Sequence, residues 1–423
     1  MTNNKFKYET MQRSDIEIMA PVGSYESLHA AIEAGADSVY FGVAGLNMRA
    51  ASSVNFTLDD LAEIVSIARA AGVKTYLTVN TIIYDDEIPK LHAVIDRAAA
   101  EGVTALIVAD QAAIEYARSR GLEVHISTQL NVSNVETLKF YSRWADVVVL
   151  ARELSMEQVA YIHSQIIERD IRGPKGELVQ IEMFAHGALC MAISGKCYLS
   201  VHETGCSANR GACRQICRRS YTLRDKETGA ELDVQGQYLL SPKDLCTIGF
   251  VDKMIASGVR VLKLEGRARG ADYVKRVVES YDRAVKAVCD GTFSPELADQ
   301  LTERLRTVFN RDFWGGYYTG RTIPELTMAY GSSSTKRKVF VGKVTNYFKR
   351  IGVAEVWVEA SPLEQGSELL FFGRTTGLLE CMADEVYVNE APAEVAPQGV
   401  FCSVKTPSEV RRGDKLYKLV DAE

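Results

Sequence analysis

The chain contains no run of eighteen apolar residues, and its opening stretch, MTNNKFKYETMQRSD, has no apolar h-region. The first absence argues against a helical membrane span, and the second against a secretory signal. A cytoplasmic location is therefore expected, where thiols stay reduced and clustered cysteines act as ligands rather than bridges. Strong positive charge is missing as well. The formal net charge is −6, which is not the surface of a general nucleic-acid binder. No HExxH, no GxSxG and no pair of tight CxxC knuckles appears, so the common signatures of zinc peptidases, serine hydrolases and zinc ribbons are absent. No glycine fingerprint for phosphate follows the first strand-like segment.

What is present is size, periodicity and an uneven distribution of thiols. The 423 residues, 47% hydrophobic and 25% charged, suit a globular protein of two or three domains whose core needs no disulfides. From residue 16 to about 267 one unit recurs: a one-sided helical stretch, a glycine, then a short β-branched strand. Gly35, Gly72, Gly102, Gly121 and Gly258 each precede such a strand, the position of a left-handed helix terminator. The strands read IEIMAP, SVYFG, TYLTVN, ALIVAD, EVHISTQ, DVVVLA, QIEMFAH and VLKLEG. Eight apolar strands alternating with helices predict a (β/α)8 TIM-like barrel over residues 15–330, with a doubly wound open sheet as the rival. The connection from His186 to Val261 is too long for a plain loop and forms a cysteine-rich insertion, 187–250, after strand seven. Beyond the linker YGSSSTKRK, alternating segments such as VFVGKVTNYF and VAEVWVEAS predict a small all-β, barrel-like domain over 337–423.

Barrel enzymes carry reactive groups at the C-terminal ends of their strands. Those ends here hold Asn80, Asp110, Gln129, Asn131, Arg152, Glu153, Glu182, His186, Glu265 and Arg267. So many polar groups describe a lined pocket, although any single residue can equally be an ion pair capping the barrel. Arg49 and Arg267 offer guanidinium forks suited to a small acidic ligand, unless each pairs with Glu265 or Glu153. His186 is a candidate for proton transfer or for a supporting hydrogen bond. Five of the nine cysteines, Cys190, Cys197, Cys206, Cys213 and Cys217, crowd the insertion beside Arg210, Arg214, Arg218 and Arg219. Their wide spacing suits an iron–sulfur cluster, with structural zinc as the alternative. For Cys246, Cys289, Cys381 and Cys402 a role as small buried hydrophobes is expected.

The segment EMFAHGALCMAISGKCYLS, residues 182 to 200, resembles the signature of the U32 peptidase-like family. MAPVGSYESLHAAIEAGADSVYFG, STQLNVSN, and SPKDL followed by KLEGRARGADYV resemble its first, fifth and eighth barrel units, so the likeness runs from residue 15 to 423. The family was first named for collagenase-like proteases. Its better-understood members are oxygen-independent hydroxylases that use prephenate and a [4Fe-4S] cluster. They act on the tRNA wobble uridine, on a ribosomal RNA cytidine or in ubiquinone synthesis. The order HGALCMAISGKC, then ANRGACRQICRRSY, is most similar to the tRNA branch.

That resemblance implies Cys190, Cys197, Cys213 and Cys217 as cluster ligands, with Cys206 and Cys246 set aside. The strand-end reading supplies Glu182, His186, Glu265 and Asp110 as the expected catalytic groups, and Arg49, Asn80, Gln129, Asn131, Arg152 and Arg267 as the expected surroundings of the prephenate-like dicarboxylate that the resemblance implies. Arg210, Arg214, Arg218 and Arg219 would meet the phosphates of a tRNA anticodon loop. The competing expectations are a U32-type peptidase, a related ribosomal RNA hydroxylase, and a non-catalytic RNA-binding cluster protein.

Overall fold

The computed structural model describes residues 11–43, 45–50, 56–232, 240–328 and 331–422. The opening MTNNKFKYET, the stretch 233–239 of the expected insertion and the expected barrel boundary at residue 330 lie outside the described residues.

All eight strands form: β1 (Glu17–Pro21), β2 (Ser38–Phe41), β3 (Lys74–Val79), β4 (Ala105–Val108), β5 (Glu123–Ile126), β6 (Val147–Val149), β7 (Gln180–Gly187) and β8 (Val259–Leu264). They are parallel in sequential order, and β8 pairs with both β7 and β1. That double pairing closes the sheet and excludes the open-sheet rival. The fold is a (β/α)8 barrel followed by an antiparallel β domain. The expected glycines end their helices with left-handed backbone, φ running from 72° at Gly72 to 93° at Gly258. Helix α1 (Tyr25–Glu33) starts at Ser24, whose hydroxyl accepts from the Ser27 amide. Helix α4 (Gln111–Ser119) starts at Asp110, and α9 (Ala271–Cys289) at Gly270.

Two apolar regions follow from two-sided strands. One lies between sheet and helices, from Ile16 to Tyr318. A smaller one, including Met19, Tyr40, Tyr76, Ile107 and Val261, fills the barrel. After β7 the chain returns as a short strand, Asp244–Cys246, antiparallel to Gly187 and His186. Among the described residues, no helix is long and apolar enough to cross a membrane.

The C-terminal domain is one antiparallel sheet whose main strands are β9 (Lys336–Phe348), β10 (Val353–Val358), β11 (Glu368–Gly373), β12 (Gly377–Met382), β13 (Val386–Val388), β14 (Phe401–Lys405) and β15 (Lys415–Asp421). Its order is β12-β11-β15-β9-β10-β14-β13, ending on Ala391–Pro392. No ladder joins the two ends among the described residues, so the sheet is curled rather than closed. Val341, Val356, Phe371 and Leu416 belong to its own core. It docks on the barrel through Leu370 and Leu378 against Ala30 and Ala271, with Arg276 on Glu380 at 2.8 Å and Lys338 on Asp272 at 2.7 Å.

Gly377 turns β11 into β12 at φ 66°, and a Cβ there would stand 2.7 Å from the Cβ of His29 on α1. Gly377→Val therefore strains both the turn and the domain contact. We expect a loss of about 1–3 kcal/mol, seen as a lower urea midpoint with the barrel and β domain separating earlier.

Candidate functional site

The C-terminal mouth of the barrel opens into a cavity of about 520 Å³, roofed by the insertion. Its floor is built from strand-end residues that face inward. Lys263 Nζ sits there, 2.6 Å from Glu182 Oε1 and 4.7 Å from the centre of the Tyr40 ring. Glu182 is fully buried, and its second oxygen lies 3.5 Å from His125 Nδ1. His125 Nε2 in turn lies 3.5 Å from Glu123, near the opposite end of the barrel. These two contacts are long for hydrogen bonds and act as ion-pair contacts. Burial pushes the His125 imidazole down, but Glu123 and Glu182 outweigh it and raise its pKa to about 8. Burial pushes the Glu182 carboxyl up, yet Lys263 and His125 hold it below the usual carboxylate range.

The arginines sort differently from one another. Arg49 Nη2 donates to Glu265 Oε1 at 2.8 Å, the ion pair weighed as an alternative for it. Burial raises the Glu265 pKa, but Arg49, Arg269 and Arg267 outweigh it and keep the carboxyl ionised. Arg267 instead donates to two neutral oxygens, Thr78 Oγ1 at 2.8 Å and Asn47 Oδ1 at 3.2 Å. Burial lowers its pKa to about 10, so its charge is held at a cost that an anionic ligand would relieve. Arg152 donates to Ser194 Oγ at 2.7 Å and lies over the Phe184 ring. One wall is amide and hydroxyl: Asn80 Nδ2 donates to Ser127 Oγ at 3.2 Å and to Gln129 Oε1 at 3.3 Å, and Ser127 also donates to Gln129.

Cys190, Cys197, Cys213 and Cys217 all line this cavity, whereas Cys206 and Cys246 do not. Burial pushes the Cys217 thiol up, and the charges of Cys190, Cys213 and Cys197 add to the rise. Burial also disfavours the Cys190 thiolate, but Arg152 and Arg49 outweigh it and lower the pKa. Among the described residues no three His, Cys, Asp or Glu side chains converge to hold one metal ion. The thiols share a wall rather than a point.

Several expected site residues stand elsewhere. His186 is outside the cavity: the β7–β8 register slips between Phe184 and His186, and this bulge turns the imidazole outward among Tyr273, Tyr281 and Phe313. Burial pushes its pKa down to about 3, so it is neutral. Asp110 caps α4 through the Ala112 amide at 2.9 Å and accepts from the Ile83 amide at 3.0 Å, with no place in the lining. Glu182 lies beneath the floor rather than on it. Asn131 ties the roof down, donating to the Ser194 carbonyl at 3.1 Å.

The insertion arginines also divide. Arg210 is bound to Glu87 at 2.5 Å and stacks on Tyr84. Arg218 staples Pro242, Ser241 and Leu189 through 2.6, 2.9 and 2.5 Å bonds. Arg219 pairs with Glu203, and Arg214 is exposed. Lys263, Tyr40, Thr78 and Asn47 were not singled out in the sequence. A lysine inside the apolar VRVLKLEG was the available signal for the first.

The His125 pKa is raised above the free value of 6.5, so its contribution to stability is complete below that pH and is lost as pH rises through about 8. Urea midpoints compared between about pH 6 and pH 9 should fall more steeply for the wild type than for His125→Phe. By NMR, the His186 ring should show no titration down to about pH 4, given its pKa of about 3.

The family model for peptidase family U32 matches residues 23–327. A protein of Porphyromonas gingivalis named "Collagenase" is 56% identical over 408 residues, covering 96% of this chain and 99% of its own. The "tRNA hydroxylation protein P1" of Bacillus subtilis is 33% identical over 84% of this chain and 83% of its own. The "23S rRNA 5-hydroxycytidine C2501 synthase" of Escherichia coli is 38% identical, over 66% of this chain and 41% of its own. The expected special closeness to the tRNA branch is not upheld, since a collagenase-named relative shares far more of the sequence. What these matches agree on is the family: the chain belongs to peptidase family U32.

Proposed function

We propose that this U32 protein is an iron–sulfur RNA-modifying enzyme that hydroxylates the tRNA wobble uridine at carbon 5 without oxygen, with prephenate as co-substrate. The observation that carries this reading is the meeting of Cys190, Cys197, Cys213 and Cys217 with Arg49, Arg152 and Arg267 on one cavity. The chemistry of the donor set would suit a [4Fe-4S] cluster: four thiols line one cavity, with Arg49 and Arg152 offsetting thiolate charge at Cys190. When bound, the cluster supplies one-electron chemistry at the roof of the cavity.

The chain's own residues would do the rest. Arg267, which holds only neutral acceptors, would take a carboxylate of a small diacid. Lys263, fixed by Glu182 between Tyr40 and Phe184, would keep a second positive charge on the floor. The Asn80–Ser127–Gln129 wall offers donors and acceptors to a splayed base. Residues 188–199 cover the cavity and limit water.

A second reading, a collagenase-type peptidase, has the support of the 56% identical relative's name, and by name the comparisons favour it over the first. Cys190, with its lowered pKa, would be the nucleophile. Among the described residues, however, no histidine hydrogen-bonds to a cavity cysteine, and His186 lies outside the cavity.

Anaerobically purified protein should carry about four iron and four acid-labile sulfide per chain, lost in Cys213→Ala. A deletion strain should lack 5-hydroxyuridine-derived tRNA nucleosides. One zinc without sulfide, or unchanged tRNA nucleosides, overturns the proposal, and loss of ribosomal hydroxycytidine redirects it. Collagen hydrolysis that survives Cys213→Ala and fails in Cys190→Ala establishes the peptidase.

A further inference from the structure

Two further cavities, of about 290 and 570 Å³, lie where the β domain meets the barrel. The smaller shares Ala268 and Arg269 with the cysteine cavity, and Gly270 and Lys338 with the larger. The three therefore adjoin one another, and the two junction cavities together form a trough leading towards the cysteine cavity. On a chain of net charge −6, the two junction cavities are lined by nine arginine and lysine side chains and four carboxylates. Two of the cations, Lys336 and Arg374, are paired with Glu368 and Glu63 outside the lining.

Three of those carboxylates are already engaged. Asp272 takes Lys338, Glu380 takes Arg276, and Asp414 is buried under the Thr376 hydroxyl and the Arg411 amide. Several cations, by contrast, are uncommitted. Arg412 and Lys415 are exposed and form no ion pair among the described residues. Among the described residues the Arg411 guanidinium donates only to Thr376 Oγ1, at 3.3 Å, and Arg269 lies on the Phe309 ring. The N-terminal ends of α1 and α9 also open onto the larger cavity, and α9 has no side-chain cap at Gly270. Both ends add partial positive charge.

We propose that this trough is a phosphate track, holding an RNA backbone across the domain junction while one base reaches the cysteine cavity. The inference rests on the RNA-modifying reading for the identity of the polyanion. RNA suits the trough better than an acidic protein partner would. None of the large apolar residues lining the two junction cavities is exposed, so this stretch lacks the anchors that protein partners use. The cysteine cavity that it adjoins at Ala268 and Arg269 carries Tyr198, 79% exposed, an aromatic face on which a base can stack. The β domain is then a backbone clamp that sets how far a loop projects into the barrel mouth.

The test uses the full-length protein and fluorescence anisotropy with a labelled tRNA transcript across a salt series. The double variant Arg412→Glu, Lys415→Glu should bind at least about tenfold more weakly, with the slope of log K against log salt reduced by roughly 1.5. Arg143→Glu, an exposed cation outside the trough, should leave both quantities unchanged. Unaltered binding by the double variant, an equal loss in Arg143→Glu, or preference for polyglutamate over tRNA overturns the track. The two proposals fail separately. Normal 5-hydroxyuridine in the deletion strain defeats the hydroxylase while variant-sensitive binding stands, and undiminished binding by the double variant defeats the track alone.

Discussion

The pairing of β7 with β8 is the constraint on which the rest of this molecule depends. It closes the barrel, and the strand Asp244–Cys246, antiparallel to Gly187 and His186, brings the two ends of the insertion together beside it. The Glu265 amide donates to the His186 carbonyl at 2.8 Å, so the C-terminal ends of β7 and β8 lie side by side at the mouth. A Cβ on Gly187 would meet the Glu265 carbonyl at 2.4 Å, which leaves no room for anything larger there. A segment tethered so tightly at both ends must fold back over the mouth. Arg218 and Asn131 then fasten it, and the cysteines become a roof. Cavity, thiols and arginines share one space because β7 pairs both with β8 and with the returning strand Asp244–Cys246.

The barrel interior adds a second constraint. Lys263, Glu182, His125 and Glu123 form a line of charges where most barrels hold aliphatic layers. Burying them is expensive unless each charge finds its opposite, and removing one member strands the others. The line therefore ties the position of the cavity floor to the integrity of the barrel. Tyr40 and Phe184 fix Lys263 from the sides through their ring faces. The floor is built to hold positive charge in place, in keeping with an anionic ligand above it.

Much of this was legible in the sequence, and the misses have identifiable causes. The barrel strands were readable because two-sided burial makes them continuous apolar runs, and the helix ends because left-handed backbone selects glycine. Strand β12, GLLECM, and strand β15, KLYKLVD, went unnamed because exposed edges and charged partners blur the alternation. His186 was misplaced by one bulge: counting by twos from Glu182 points it inward, and the extra residue at Ala185 turns it outward. Asp110 was misread because a strand-end carboxylate that caps the next helix looks, in sequence, the same as one that faces a ligand.

By itself the sequence determined the period of the fold, the family signature and the crowding of five thiols into one insertion, since these are matters of composition and spacing along the chain. Which polar groups converge was decided only in three dimensions. Arg49 is matched by Glu265, Arg267 is left on neutral oxygens, and Lys263 becomes a floor because strands far apart in sequence close into one ring. The basic trough at the domain junction likewise belongs to neither domain alone. Its charges come from residues 269–276, 336–338 and 374–415, and only docking of the β domain on α1 and α9 brings them into one field. Electrostatic interaction depends on distance through space, and a linear sequence records distance only along the chain.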